Sequence, residues 1–144
     1  MPDHLNVAAV AITNVKGQIF LVRKRGTTRW MQPGGKLEAG EAPLAAALRE
    51  VAEELGVSWG PERLCAAGTW HGAAANEAGT TVTAHLFDAA WDPVHDGVAR
   101  VGAELAEGEW MDPLVALRRD DLAPLLSDRV LPHVAAIQAA TPPR

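Results

Sequence analysis

Gly35 to Val57 read GKLEAGEAPLAAALREVAEELGV, and this stretch decides the fold that the rest of the chain must complete. It predicts a helix over 42–55, because Pro43 stands near the start and Gly56 is placed to end it. Wound at roughly 100° per residue, this helix carries an apolar stripe that must face a core. The stripe consists of Leu44, Ala47, Leu48, Val51 and Leu55.

A second side of this helix is acidic, since Glu50, Glu53 and Glu54 fall within an arc of roughly 100°. Carboxylates at these spacings repel one another, and a divalent cation would remove the conflict. Oxygen ligands favour a hard ion, so the pattern indicates Mg²⁺, with Mn²⁺ as the alternative. For three glutamates alone, a solvated charged helix face is the competing interpretation.

Outside this stretch, the patterns predict a sheet that packs between helices. The continuous apolar run over 6–12 is typical of a strand buried on both faces, and a turn at 14–17 makes it a hairpin with the strand at 19–22. We expect Pro33-Gly34-Gly35 to stop regular structure. Further strands are predicted at 63–71, at 80–87 and ending at Met111, followed by a helical tail over 122–137 that Pro132 kinks or splits.

Length and composition indicate one globular domain over residues 1–144, with 141–144 expected to be a disordered tail. The chain has 48% hydrophobic residues and a net charge of -5, which argues against binding to duplex nucleic acid through a broad basic surface. No apolar run could span a bilayer, and the first residues lack the basic region of a signal peptide. The single cysteine, Cys65, excludes an internal disulfide; we expect it to be buried and the protein to be cytoplasmic.

The acidic helix belongs to a longer pattern that resembles a known family signature. Gly35, Glu41 and the run Arg49-Glu50-Val51-Ala52-Glu53-Glu54-Leu55-Gly56-Val57 resemble the Nudix box, Gly-x5-Glu-x7-Arg-Glu-U-x-Glu-Glu-x-Gly-U, where U is aliphatic. Every specified position is met. The resemblance implies an α/β/α sandwich with a mixed, curved sheet. It also implies metal-dependent hydrolysis of a nucleoside diphosphate linked to another group.

Carried over residue by residue, the resemblance implies roles within the box. The metal ligands would be Glu50, Glu53 and Glu54, with the carbonyl of Gly35 as a further ligand. Glu53 is the first choice as the base that takes a proton from water. In related enzymes the base sometimes comes from a later loop, where Glu104 is the better candidate and Glu107 the other. Arg49 would orient a carboxylate. Glu41 and Gly56 would have structural roles. Glu41 would stabilise the start of the helix and hold Arg49.

The sequence offers several candidates for contacts to the substrate, each with a structural alternative. Five basic side chains near the glycines could bind phosphates, although a solvated basic loop is an equal alternative; they are Arg23, Lys24, Arg25, Arg29 and Lys36. Trp30 and Gln32 would share one side of a strand, so that one stacks on a base and the other binds its edge. Trp30 is equally well explained as a core residue. Asn76 is expected to shape a turn.

The choice of substrate rests on elimination. The chain has no tyrosine, which weighs against the dinucleoside polyphosphate hydrolases of this family that carry a marker tyrosine after the box. Gly68 to Gly72 lack the proline that marks many ADP-ribose hydrolases of this family. A nucleoside or deoxynucleoside triphosphate, oxidised ones included, therefore leads, and ADP-ribose or a nucleotide sugar is the alternative. A non-catalytic domain that senses a nucleotide is a third interpretation, because fold does not fix function. The sequence is compatible with a monomer or a homodimer.

Overall fold

The computed structural model describes residues 3–74 and 78–140. Asn76 and the tail 141–144 lie outside these ranges. Six strands are formed: β1 (His4–Thr13), β2 (Ile19–Lys24), β3 (Gly34–Lys36), β4 (Cys65–Ala73), β5 (Thr81–Ala90) and β6 (Leu105–Met111). The helices are α1 (Pro43–Leu55), α2 (Pro93–Asp96), α3 (Pro113–Ala116) and α4 (Leu131–Ala140). A short 3₁₀ turn at Pro61–Arg63 and a π-helical turn at Leu126–Val130 complete the elements.

The strands form one mixed sheet in the order β4-β5-β1-β2-β6, and β3 pairs with β1 off this path. The central pair, β1 and β5, is parallel over ten residue pairs, from His4 opposite Thr81 to Thr13 opposite Ala90. The other pairings are antiparallel. The predicted α/β architecture, with a mixed sheet flanked by helices, is confirmed. The sheet does not close on itself.

Successive residues of β1 are buried on opposite faces of the sheet, as the apolar run predicts. Val10 and Ile12 pack with the α1 side of the core, which contains Ala47, Val51 and Leu55. Ala9 and Ala11 belong to the opposite cluster, whose members include Leu126, Leu131 and Val134. Fully burying one such large aliphatic side chain contributes about 1.5–3 kcal/mol, so both helical layers are held mainly by this sheet.

Helix α1 ends at the predicted residue and begins one residue later than predicted. Ala42 is its N-cap and Pro43 its first residue, while Gly56 ends it in the left-handed conformation, at φ +74°. In that conformation the Gly56 N–H donates to the carbonyl of Ala52, which satisfies one of the free carbonyls of the last turn. None of the helices in the described ranges is both long and apolar enough to cross a membrane.

Three expectations were wrong in whole or in part. Pro33-Gly34-Gly35 does not stop regular structure, because Gly34 and Gly35 begin β3, which pairs with β1. The backbones approach so closely that a Cβ on Gly34 would lie 2.1 Å from the carbonyl oxygen of Ala8, so glycine here makes pairing possible. Cys65 is exposed rather than buried, since it lies on β4, an edge strand. The helical tail is not split at Pro132: the π-helical turn at Leu126–Val130 runs directly into α4, which begins at Leu131 and contains Pro132.

Candidate active site

The three glutamates on the acidic side of α1 occupy very different environments. Glu54 is only 4% exposed, and the Glu50 side chain is 13% exposed. The Glu53 side chain is 56% exposed and reaches solvent. A merely solvated charged face would leave all three outside, so that interpretation fails for Glu50 and Glu54. Burial of two charged groups side by side requires a physical reason, because desolvating a carboxylate is costly.

Glu54 is buried between α1 and the start of β3. Its Oε1 accepts a hydrogen bond of 2.9 Å from the backbone N–H of Gly34. Among the ion pairs of residues 3–74 and 78–140, none includes Glu54. Burial raises the pKa of Glu54 to about 8; the Gly34 N–H lowers it in part, and the nearby Glu50 raises it further. The protein therefore provides little positive charge for this carboxylate.

Glu50 lies directly against the backbone of Gly35. A Cβ built on Gly35 would lie 2.4 Å from Oε1 of Glu50 and 2.5 Å from its carboxyl carbon. No side chain larger than glycine fits there while Glu50 keeps this position. Burial also raises the pKa of Glu50, although its contact with Arg49 opposes the shift. The absence of a side chain at Gly35 thus lets the Glu50 carboxylate lie directly against the backbone of Gly35.

Arg49 is the centre of a network that fixes this end of the site. Its Nε and Nη2 each donate to a different carboxylate oxygen of Glu41, both at 2.8 Å. Its Nη1 donates to Oε1 of Glu50 at 2.9 Å, and Nη2 also reaches the carbonyl of Lys36 at 3.0 Å. The hydrogen bonds from Arg49, with one from the N–H of Glu38, lower the pKa of Glu41 to about 2. The contact expected between Glu41 and Arg49 is therefore present.

The donor set fits a hard divalent cation, although the side chains are not yet gathered around one. Within the described ranges, no three acidic, histidine or cysteine side chains are arranged as a metal-binding group. The largely buried Glu50 lies against Gly35 and the buried Glu54 binds the N–H of Gly34, whereas Oε1 of the exposed Glu53 lies 3.7 Å from Nη1 of Arg49. Glu53 is exposed and on the same helix face, so a rotamer change could bring it inward. Carboxylate and carbonyl oxygens are the ligands that Mg²⁺ prefers.

A loop before β6 lies against the end of α1. The Gly102 N–H donates to the carbonyl of Glu54 at 2.7 Å, and a Cβ on Gly102 would lie 2.5 Å from the carbonyl oxygen of Glu53. This contact brings the exposed Glu104 close enough for its charge to raise the pKa of Glu54. Glu107 points elsewhere, to an ion pair of 2.6 Å with Arg23.

A cavity opens beside the two glycines, between β1, β3, β4 and the segment 123–125; we call it the Gln32 cavity. Of the candidate substrate residues, Lys24, Gln32 and Lys36 line it. Three other candidates do not line it, because their guanidinium groups have partners elsewhere. Arg23 binds Glu107 and the carbonyl of Thr27. Arg25 binds the carbonyl of Ala103, and Arg29 binds the carbonyl of Leu122. The structure therefore singles out Lys24 from the basic loop.

The aromatic wall of the Gln32 cavity is Trp70, which the sequence did not indicate. Trp30 is buried in the core cluster and does not line the cavity, so the core interpretation of Trp30 is correct. The indole of Trp70 lies over Gly72, where a Cβ would come within 2.1 Å of the ring. A single large aromatic within the otherwise small-residue stretch CAAGTWHGA was the signal that could have suggested it.

The comparisons with known proteins agree with this geometry. The family model described as NUDIX domain matches residues 2–133, and the chain therefore belongs to the Nudix family. The MutT protein from Methanosarcina mazei Go1 has a similar fold, with a TM-score of 0.74 over 94% of this chain and 96% of that one at 21% identity.

Two curated relatives match over shorter stretches. The 8-oxo-dGTP diphosphatase of Haemophilus influenzae is 42% identical over 57 residues, which are 37% of this chain and 42% of that protein. The RNA pyrophosphohydrolase of Roseobacter denitrificans is 43% identical over 51 residues, or 34% of this chain and 32% of that protein. The chain thus spans about a third to two fifths of the curated relatives that it matches.

Proposed function

We propose that this chain is a Mg²⁺-dependent pyrophosphohydrolase that cleaves nucleoside or deoxynucleoside triphosphates, oxidised ones included, to the monophosphate. The observation that carries the proposal is the buried carboxylate of Glu54, which lies near Glu50 and whose one neutral N–H partner, Gly34, lines the Gln32 cavity. Membership of the Nudix family supports the reaction class. The name of the relative from Haemophilus influenzae supports a triphosphate substrate.

Glu50, Glu53, Glu54 and the Gly35 carbonyl would hold the cation. When bound, Mg²⁺ would neutralise phosphate charge and lower the pKa of water. Arg49 keeps the Glu50 carboxylate in place through its 2.9 Å contact, and its own position is fixed by the two contacts to Glu41. Such support from a second layer of side chains typically matters because it sets the orientation of the ligands.

Two basic side chains of the Gln32 cavity would bind the phosphates. Lys24 and Lys36 both line it, as do Gly34 and Gly35. The charge of Lys24 also reaches the carboxyl groups of Glu50 and Glu54, whose pKa values it lowers slightly against the effect of burial. An anionic chain of phosphates placed there would lie between these lysines and the acidic side chains.

The base is proposed to be Glu53, which is exposed and adjoins the buried pair on the same helix. A base must exchange its proton with water between turnovers, and an exposed carboxylate can do so. Glu104 is the second candidate, because the contact of Gly102 with Glu54 brings its loop to the site. Separate Glu53→Gln and Glu104→Gln variants distinguish them: loss of the acidic limb of the pH profile identifies the base.

The experiment that tests the function is product analysis on a nucleotide panel, with saturating Mg²⁺ in one series and EDTA in place of Mg²⁺ in a parallel series. The panel contains the common triphosphates, 8-oxo-dGTP, ADP-ribose and a nucleotide sugar. We expect monophosphate and pyrophosphate from a triphosphate, in Mg²⁺ only. Turnover confined to ADP-ribose or the sugar would refute the proposed substrate, and no turnover of any compound would refute the enzymatic function.

A further inference from the structure

The side chain of Gln32 presents a buried hydrogen-bond acceptor to the Gln32 cavity. Gln32 is 7% exposed, and its Oε1 has no hydrogen-bond partner among the residues that the structure describes. It is the sole buried side-chain nitrogen or oxygen of those residues in this condition. Buried polar atoms are nearly always paired in folded proteins, so an unpaired one at a cavity wall indicates that a ligand supplies the missing donor.

The backbone on both sides of Gln32 is fixed. Met31 exchanges two hydrogen bonds of 2.8 Å with Val22 of β2, and the carbonyl of Pro33 accepts one of 2.9 Å from the N–H of Val10 in β1. The main chain at Gln32 is therefore held in the sheet, and its side chain always starts from the same point of the cavity wall. A fixed attachment point reduces the ordering that a ligand must bring about when it binds.

The surroundings of Gln32 define the chemistry of that ligand. The cavity walls include Val7, Val82, Leu125 and the indole of Trp70, all of which favour a flat apolar ring. Lys24, Lys36 and the two glycines line the same cavity, and the N–H of Gly34 donates to the acidic Glu54. Apolar and aromatic walls for a ring, together with cations for phosphates, are the features that a nucleotide requires.

We infer that Gln32 is a specificity-determining residue, whose carbonyl oxygen accepts a hydrogen bond from the exocyclic amino group of the nucleobase. This inference rests on the proposed function. Thymine, uracil and hypoxanthine lack that amino group. The N3–H of thymine and uracil lies between two carbonyl oxygens that would repel Oε1, and the N1–H of hypoxanthine lies beside one. A site that leaves a buried acceptor unpaired discriminates strongly against the ligand without the donor.

The test uses two pairs of substrates that differ at the amino group. In dGTP and dITP the 2-amino group is present or absent, and in dCTP and dUTP a 4-amino group replaces a carbonyl. We expect the wild-type protein to prefer the amino member of at least one pair by about tenfold or more in kcat/KM, because one unpaired buried group has an effect of that order. In Gln32→Leu this ratio falls to near one through loss of activity on the amino member.

Gln138→Leu is the matched control, since Gln138 is a glutamine of α4 that lines a different cavity; its ratio stays as in the wild type. Equal use of both members of each pair by the wild type, or an unchanged preference in Gln32→Leu, would overturn the inference. It would indicate that a water molecule or the main chain satisfies Oε1.

If no triphosphate is hydrolysed, the proposed function has failed, and nucleotide binding decides the inference separately. Quenching of tryptophan fluorescence by dGMP and dIMP, and by dCMP and dUMP, then measures the preference in both proteins. A preference for an amino member that Gln32→Leu abolishes supports the role of Gln32. No binding, or no preference, overturns it.

Discussion

Two carboxylates of this chain have little access to solvent and yet are treated in opposite ways. Glu54 is 4% exposed as a whole residue, and Asp96, a half-buried residue, has a side chain that is 4% exposed. Asp96 accepts hydrogen bonds from both terminal nitrogens of Arg63, at 2.6 and 3.0 Å, from the indole N–H of Trp59 and from the N–H of Asp92. Glu54 accepts one from the N–H of Gly34. Hydrogen bonding by Arg63 lowers the pKa of Asp96 to about 2, while burial raises that of Glu54 to about 8.

The difference separates a structural charge from a functional one. The protein itself neutralises Asp96, so this group stabilises the junction between the 3₁₀ turn and α2 without any ligand. Glu54 gains no arginine although Arg49 lies one turn away, because Arg49 is directed to Glu41 and Glu50. Under-compensated carboxylates in a cleft are typical of sites that bind a cation or transfer protons. The pair thus makes the predicted metal site distinguishable from ordinary buried ion pairs.

The largest expected effect is on turnover. Glu54→Gln and Glu53→Gln should each lower kcat by about a hundredfold or more, because each removes a proposed ligand or base and leaves the volume unchanged. Rates of pyrophosphate release in Mg²⁺ measure the loss, and far-UV circular dichroism checks folding. Glu62→Gln, an exposed glutamate of the 3₁₀ turn, is the matched control and should retain wild-type turnover. Full activity in both site variants would contradict the assigned roles.

For stability, the substitution at Asp96 is expected to have a larger effect than the substitution at Glu54. Asp96→Asn should lower the free energy of unfolding by about 2 kcal/mol at pH 7, because it weakens charge-assisted hydrogen bonds to Arg63. Glu54→Gln in EDTA should not, since burial disfavours the charged form of this group and glutamine keeps an oxygen for Gly34. Urea unfolding of both variants measures the difference. Equal destabilisation by the two substitutions would remove the basis of the comparison.

The Asp96 contribution should also depend on pH in a defined direction. The pKa of Asp96 is lower in the folded protein, at about 2, than its ordinary 3.8. Between these values the unfolded chain binds more protons, so the stabilisation is complete above about pH 3.8 and is lost as the pH falls toward 2. The gap between wild type and Asp96→Asn should therefore shrink in this window. A constant gap from pH 7 to pH 2 would exclude the ionised form as its source.

A smaller effect is expected at the arginine that serves the site. Arg49→Lys should reduce kcat by about tenfold, because lysine cannot make the paired contacts to both oxygens of Glu41 while reaching Glu50. Arg118→Lys, at an exposed arginine after α3, should leave kcat unchanged. Steady-state kinetics at saturating Mg²⁺ measure both. Unaltered turnover in Arg49→Lys would show that charge alone, without the paired geometry, suffices there.

The smallest effect concerns the basic loop. Lys24→Gln should raise KM by about threefold to tenfold with little change in kcat, because it weakens phosphate binding and not the chemical step. Lys16→Gln, in the turn between β1 and β2, is the control and should change neither constant. If KM stays the same in Lys24→Gln, the phosphates do not lie beside Lys24 in the Gln32 cavity.

Local sequence patterns were sufficient for much of the fold. The helix at 43–55, its glycine stop and the doubly buried β1 follow from apolar periodicity and capping, which act over a few residues. β3 was missed because its glycines look like a break until β1 is seen beside them. The pairing depends on the distance between backbones, which is a property of the assembled sheet and not of the residues 33–35 alone.

The sequence predicts which residues form the candidate site, but it does not predict how the environments of these residues differ. The spacing of the three glutamates places them on one helix face, but it cannot show that Glu54 is buried and Glu53 exposed. Likewise, the basic residues between 23 and 29 are equivalent candidates in the sequence. Only the fold shows that Arg23 forms an ion pair with the distant Glu107. Trp70 and Gln32 meet in one cavity through sheet topology, a relation that their positions in the sequence do not reveal.

The most direct test of the central claim is equilibrium Mn²⁺ binding, followed by electron paramagnetic resonance of the free ion at pH 7. The wild type and Asp96→Asn should bind Mn²⁺ with similar affinity, and Glu54→Gln should bind it at least about tenfold more weakly, since it loses a charged ligand. The same affinity in Glu54→Gln as in the wild type would contradict the claim that this buried carboxylate is kept for a cation.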